Sequence, residues 1–472
     1  MSLMPGEYIG LGESRTMGIF GKTGYGKSWL AAYLLAGYAM NKDMGILILD
    51  PQGEFANNFP TSRFPFHQII KYACKRELTI IGSDEIKLDP ENINDLALFT
   101  KKFFEANRLF PTSEEKYRDF LDELYEQILN TKFTPQGQSE INPINPIMFY
   151  KKINTALSEG KTDEVSKYLE IHVDDLKKNL NENSKIDELI VSRVWSRFLD
   201  SISNTIVNRV FATTDARNRI NGRLRVLRTD QNRINSFRKY LQLFDPSQGK
   251  TVDQIVDLLL NQRRIIIFDI SKMGKRFPGI DETELKAFFI SRIIEKIRDV
   301  AEEKFGGSNL LNVLITMDEA HKYVGSSYSD LPEDLKLLKM QIVKNVKETR
   351  KYGIGWLFIT QTTVDFDKEI YRQLHDYFFL YGLGVGADLQ HMKEVVPKKF
   401  IEQYRGLPNP KQTNVYWAMH TGSLNVINTA TAATFIRLPS PEEFLRLNFN
   451  MNLKDLEQTE KKEKELTRMD VD

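Results

Sequence analysis

The sequence predicts an α/β protein: a mostly parallel sheet with helices on both faces, carrying a large all-helical insertion. Three observations predict it. Short apolar runs alternate with helical periods near both ends of the chain. Between about 91 and 250 strand-like runs nearly vanish. A glycine-rich turn, GKTGYGKS at 21–28, follows the first apolar run and opens a helix.

In chain order, Thr16–Phe20 is the first strand and 27–41 the first helix. GILILD at 45–50 is an apolar run ending in an acid, as expected of a strand buried on both faces. A short strand follows at 79–81. Helical periods then cover 96–109, 114–129, 146–158, 165–179 and 186–213, with a Gln, Gly and Pro-containing break at 134–146. The α/β pattern returns with a helix at 252–260, strands at 264–270 and 312–317, and a long helix at 282–305. A basic amphipathic helix at 331–352 leads into strands at 355–360 and 377–381, and 414–419 reads as an edge strand. The tail from 453 is charge-rich, with EKKEKE at its centre, and fits a solvated helix, a disordered extension or an intersubunit arm. The expected division is 1–90 and 251–435 for the two parts of the core, 91–250 for the insertion and 436–472 for a helical or extended arm.

Composition bounds the function. At ~150 residues per domain, 472 residues suggest two or three units. The net charge of +1 makes no global case for a polyanion partner, although local clusters can. Cys74 is the only cysteine, which excludes an intrachain disulfide and a Cys-based metal site and suits a reducing, cytoplasmic setting. No secretory signal is read at the N-terminus, and the apolar stretch 30–40 is too short to span a bilayer, so no direct membrane insertion is expected.

The turn at 21–28 matches G-x-x-x-x-G-K-[S/T] between a strand and a helix. Gly21, Gly24 and Gly26 let backbone N–H groups of Lys22, Thr23, Gly24, Tyr25 and Gly26 face inward on phosphate oxygens. The following helix adds its positive end. Lys27 would reach the β- and γ-phosphates of ATP, and Ser28 would ligand Mg2+. Asp318 and Glu319 end a strand where ligands of open parallel sheets bind. Asp318 is placed to hold the metal, and Glu319 to polarise the attacking water. A plain charged strand end is the alternative.

The letters DEAH at 318–321 invite an RNA-helicase reading. The phosphate loop lies at the very start of the chain and the serine-alanine-threonine element of such helicases is absent, so that reading is rejected and His321 is expected to pack locally. Gln361, after the strand 355–360, can donate to a γ-phosphate and accept from water, as in P-loop NTPases of the RecA-like, additional-strand type. Thr360 is the secondary candidate. Arg350, or Lys351 beside it, closes the preceding helix and would enter a neighbour's site in a ring; Arg372 is a weaker candidate. Asp50 and Glu54, in DPQGEF at 50–55, bring two carboxylates onto one loop that would orient metal-bound water, or simply form a turn. The arginines between 193 and 238 fit either an ion-paired solvated face or a surface touching phosphates or a neighbouring subunit. Lys272, Lys275 and Arg276, in SKMGKRF, are the expected DNA-contact loop, a solvent-facing turn being the alternative.

With the phosphate loop, DPQGEF, DEAH and the R-K-Y-G-I-G-x-L-x-x-x-T-Q pattern of 350–361 in hand, the chain resembles the HerA/FtsK superfamily, most nearly HerA-type DNA translocases, over about 15–90 and 250–435. Gln52 stands where that family usually has histidine. The resemblance implies a homohexameric ring threading double-stranded DNA and hydrolysing ATP at subunit interfaces. It gives Lys27 and Ser28 the nucleotide, Asp318 the metal, Glu319 the general base, Gln361 the γ-phosphate sensor, Arg350 the trans-acting arginine, and Asp50 and Glu54 the metal-water network. HerA proteins also carry an N-terminal β-barrel that helps dock a partner nuclease. About fifteen residues precede the first strand here, so a chain without that barrel is expected. Conjugation or type IV secretion ATPases, viral genome-packaging ATPases and a nucleotide-gated scaffold ring are the competing readings.

Overall fold

The computed structural model describes residues 15–59, 64–131, 142–179, 183–277, 279–305, 310–327, 331–422 and 432–469. The N-terminal stretch read for a signal, and most of the break at 134–146, lie outside them. Two compact units emerge. The first comprises Met1–Ser83, Asp253–Met273 and Glu282–Asp472, the second Asp84–Val252 and Gly274–Asp281.

The strands, in chain order, are β1 (Thr16–Phe20), β2 (Gly45–Asp50), β3 (Leu78–Gly82), β4 (Ile86–Lys87), β5 (Lys250–Thr251), β6 (Ile265–Asp269), β7 (Val313–Met317), β8 (Ile354–Thr360), β9 (Asp376–Leu380), β10 (Trp417–Gly422) and β11 (Ala433–Arg437). Nine of them form the sheet of the first unit, in the order β11-β10-β9-β1-β8-β7-β2-β6-β3. From β9 to β3 every pairing is parallel. β1, β2, β7, β8 and β9 are buried along their whole length, which is why they read as unbroken apolar runs rather than alternating ones. The fold is thus the expected α/β class. β8 lies between β1 and β7, so the strand before Gln361 separates the strand feeding the phosphate loop from the strand ending in the acid pair.

The helix Lys27–Ala39 is apolar all round because it is enclosed. Its Leu30, Leu34 and Leu35 join Ile46, Ile48, Ile265, Ile267, Leu357 and Ile359 in one core, each buried leucine contributing about 1.5–3 kcal/mol. Tyr33 stacks on Phe444 at 4.3 Å, which docks the helix Pro441–Phe449 on the same core. A capping box of Ser440 and Glu443 starts that helix.

Two expectations are corrected. The strand expected at the sheet edge is β10, and it pairs antiparallel with both β9 and β11. The helix expected over 165–179 breaks into Thr162–Leu169 and Val173–Asn179 at Glu170, whose left-handed backbone lets Ile171 N–H close on Ser166 at 3.1 Å. The charged tail forms the helix Leu453–Met469, whose Glu463 pairs with Lys71 at 2.7 Å and accepts from the Tyr72 hydroxyl at 2.8 Å. It therefore packs within its own unit. No helix among the described residues is long and apolar enough to cross a membrane.

The second unit is helical apart from the short parallel pair β4 and β5. Phe99, Phe103, Phe104, Trp195, Phe198, Phe237 and Tyr240 build its aromatic core.

Candidate active site

Parallel strands deliver their C-terminal ends to one edge of a sheet, and the register decides which side chains meet there. Asp50 ends β2 opposite Asp269 of β6. Asp318 follows Met317, which faces Leu49, and its N–H donates to Leu49 at 3.2 Å. Asp269, Asp50 and Asp318 therefore stand in a row on adjacent strands. Thr360 closes β8 on the other side, opposite Phe20, and its carbonyl accepts from Gly21 N–H at 3.3 Å.

The loop 21–28 leaves β1 at this edge. Gly24 and Gly26 have φ of 83° and 94°, a left-handed backbone that residues with a side chain avoid. Gly21 has no room for one either: a Cβ there would lie 2.8 Å from that of Leu380. Lys22, Thr23 and Gly24 are exposed at the loop's crown, Tyr25 and Gly26 are half-buried, and Lys27 turns inward with 8% of its surface accessible. Burial pulls the Lys27 ammonium below its ordinary range, and Glu319, Asp318 and Glu54 push it back. The Ser28 hydroxyl donates to Glu54 Oε2 at 2.8 Å.

Asp318 is buried, and its carboxyl sits well above the usual carboxylate range. Burial is the main cause, followed by the negative charges of Glu319, Asp50 and Glu54. Glu319 has a left-handed backbone, φ 49°, a conformation that costs of order 1 kcal/mol in a residue with a side chain. That turn aims its carboxylate at Gln361, whose Nε2 lies 3.2 and 3.3 Å from the two oxygens. His321 Nδ1 lies 3.4 Å from Glu319 Oε2 and 3.2 Å from Thr360 Oγ1. Burial lowers the His321 pKa against the pull of Glu319. His321 is thus held between the acid pair and β8, where the sequence suggested only local packing.

Asp50 shapes the turn that carries Glu54. Its Oδ1 accepts from Gly53 and Glu54 N–H at 2.8 and 3.1 Å, and its Oδ2 from Ala56 N–H at 2.8 Å. The carboxylate is occupied in shaping its own turn, leaving Glu54 as the member of that loop that meets Ser28. Burial raises Asp50 to about 6, against the pull of the three amides.

Arg350 does not join its own chain's site. It is exposed in the turn Thr349–Tyr352 that leads into β8, at the opposite end from Thr360, across seven residues or roughly 23 Å of strand. Lys351 shares that end, and Arg372 is exposed on the helix Lys368–Gln373. In the second unit Arg276 is buried: its guanidinium donates to the Ile86 carbonyl at 2.9 Å and burial brings its pKa down to about 10. It is a structural cation rather than a contact-loop residue; Lys272 and Lys275 remain exposed. Sequence reasoning missed two residues at the first unit's site. Asp269 extends the acidic row, which its place at a strand end signalled. Lys411 lies at the crown of the loop, 5.2 Å from the Tyr25 ring centre, and nothing local in the sequence points to it.

A buried ion pair fixes the loops that carry these groups. Lys339, fully enclosed, lies 3.2 Å from Asp367 and donates to the Gly325 carbonyl. Asp367 N–H donates to Val324 at 2.9 Å. The segment after Glu319 is thereby tied to the segment after Gln361.

The family model described as "Helicase HerA, central domain" matches residues 13–297. The chain belongs to the HerA central-domain family. The matched span of this HerA-family chain contains the loop 21–28, Asp50 and Glu54, and ends before Asp318. Among solved structures, VirB4 of Thermoanaerobacter pseudethanolicus is 13% identical, with a TM-score of 0.44 over 90% of this chain and 89% of that one. The genome packaging NTPase B204 of Sulfolobus turreted icosahedral virus 2, in complex with ATP-gammaS, is 12% identical, with a TM-score of 0.26 over 38% of this chain and 69% of that one. The DNA-packaging ATPase B204 of Sulfolobus turreted icosahedral virus is 15% identical, with a TM-score of 0.26 over 40% and 73%. No curated protein matches.

Removing one partner of an enclosed ion pair strands the other charge. Lys339→Ala is expected to lower unfolding free energy by about 3–5 kcal/mol, whereas Lys339→Met with Asp367→Leu should restore most of it. Denaturant unfolding of the three variants measures this, and an unchanged midpoint for Lys339→Ala would show that the clamp contributes nothing.

Proposed function

We propose that this chain is a Mg2+-dependent ATPase whose subunits form a ring, most simply a hexamer, that moves along double-stranded DNA. The observation that carries the ATPase reading is Glu319. It is held by Gln361 and His321 at the edge where Lys27, Ser28 and Asp318 converge. Membership of a family named for a helicase supports the DNA reading.

The donor set suits a hard divalent ion beside a nucleotide. Mg2+ takes one or two carboxylates and completes its shell with phosphate oxygens and water. Ser28 and Asp318 would hold it, with Glu54 supporting through the Ser28 hydroxyl. When bound, the ion supplies charge neutralisation and polarises phosphate oxygens. The backbone N–H groups of 21–28 and the Lys27 ammonium bind and orient the terminal phosphates. Glu319 accepts the proton of the attacking water. Gln361 carries an amide that donates to Glu319. Passing that donor to a γ-phosphate oxygen would free a Glu319 lone pair for the water, making Gln361 a sensor of the bound triphosphate.

Within the chain, Lys27 is the cation that faces Asp318, Glu319 and Glu54, and a transferring phosphoryl group would meet it there. A ring supplies another from the neighbour. Arg350 is exposed and removed from its own site, as a trans-acting arginine must be.

Glu319→Gln is expected to bind ATP normally while turnover falls about 100-fold or more; unimpaired turnover would remove Glu319 from the base role. Arg350→Ala and Lys27→Ala should each be inactive alone and regain activity when mixed, because mixed interfaces pair an intact loop with an intact arginine. Normal turnover by Arg350→Ala alone would end the trans assignment. Duplex DNA should stimulate the wild-type rate, and indifference to duplex would favour a motor acting on protein.

A further inference from the structure

Eight of the ten arginines from 193 to 238 fall into two sets, and Arg193 and Arg233 belong to neither. Arg197 pairs with Glu170 at 2.5 Å, Arg209 with Glu123 at 2.8 Å and Arg238 with Asp187 at 3.3 Å. Arg228 pairs with Asp200, and Arg217 donates to the Phe211 carbonyl at 2.5 Å. These hold the helical unit together. Arg219, Arg223 and Arg225 do not: they are exposed on the helix Thr214–Leu227, whose Ile220, Leu224 and Leu227 face inward. Among the described residues none of the three has an ion pair.

Two of them border a groove. Its volume is about 410 Å³, and Arg219 and Arg223 line it together with Phe110, Pro111, Phe211 and Ile220. Phe110 and Phe211 meet edge to face at 5.9 Å and, both buried, support the groove from beneath. No acidic residue lines it. Arg219 and Arg223, four residues apart on a helix, lie about 5–6 Å from one another on the same face, a spacing comparable to the step between successive phosphates of a nucleic-acid strand. Unneutralised guanidiniums are strong, planar phosphate donors, and an apolar side chain suits the sugar between phosphates.

We infer that this groove of the helical unit seats one strand of the sugar–phosphate backbone of duplex DNA, with Arg219 and Arg223 on successive phosphates and the exposed Pro111 against the intervening sugar. The contact carries no base information, so it serves binding without sequence preference. It rests on the DNA-motor reading for the identity of the polyanion and adds a contact outside the ATPase core.

The test is duplex binding by the full chain, followed by fluorescence anisotropy over a salt series, for wild type, Arg219→Gln/Arg223→Gln and Arg219→Lys/Arg223→Lys. For the Gln pair, affinity is expected to fall at least about ten-fold and the slope of log K against log salt to shrink by about 1.8, two contacts at about 0.9 each. The Lys pair should keep the slope within about 0.5 of wild type, because its charge is retained. A single-stranded oligonucleotide of equal length should bind more weakly than duplex; tighter binding would overturn the duplex assignment. A wild-type slope in the Gln pair, or no duplex binding by wild type, would overturn the site and leave the arginines to a protein contact. Basal ATP turnover without DNA, read on the same samples, should be equal in all three proteins. A wild type that binds duplex through these arginines but shows no duplex-stimulated turnover would contradict the motor reading while the groove stands.

Discussion

Carboxylates crowd the C-terminal edge of the sheet, and much of the local architecture exists to hold them there. Parallel register places Asp269, Asp50 and Asp318 on adjacent strands, with Glu54 and Glu319 just beyond. Each like charge raises the cost of the next in a buried setting. Each is met by a donor: Asp50 by three backbone amides, Asp269 by Ser271 N–H, Glu54 by the Ser28 hydroxyl, Glu319 by Gln361 and Asp318 by the Glu319 backbone. Asp318 is enclosed with its neighbours' negative charge and the backbone bond of Glu319 in partial compensation. It is the group whose ionisation most needs a cation, and it stands beside a loop shaped to bring a nucleotide with one.

That constraint links the site to the rest of the first unit. The helix Lys27–Ala39 and its aromatic cover enclose the sheet face beneath the loop. The two segments that carry Glu319 and Gln361 keep their spacing through the enclosed Lys339–Asp367 pair. β8 carries Gln361 just past one end and Arg350 just before the other. A single strand therefore connects the group proposed to sense the γ-phosphate with the residue proposed to serve the neighbouring subunit.

Much of this was legible in the sequence because burial on both faces leaves a mark. GILILD and the run before Asp318 have no polar alternation to confuse them with surface strands, and GKTGYGKS carries the glycines of a tight turn, of which Gly24 and Gly26 take a left-handed backbone. Fold class and the meeting of Lys27, Asp318, Glu319 and Gln361 follow from such marks. What stayed hidden depends on partners distant in sequence. Nothing in SKMGKRF distinguishes the enclosed Arg276 from its exposed neighbours Lys272 and Lys275. Nothing local in the sequence shows the three amide donors that Asp50 collects. His321 is separated from Thr360 by thirty-nine positions, and the charged tail finds Lys71 and Tyr72 across most of the chain. β11 is short and only partly buried, so it lacked the apolar signature of the central strands.

The most direct measurement is a structure of the chain with Mg2+ and a non-hydrolysable ATP analogue. The triphosphate should lie in the loop 21–28, with Lys27 on its terminal phosphates, the ion between Ser28 and Asp318, and Gln361 turned from Glu319 toward the γ-phosphate. A nucleotide bound elsewhere, or an empty loop at saturating analogue, would contradict the assignment of this edge as the catalytic centre.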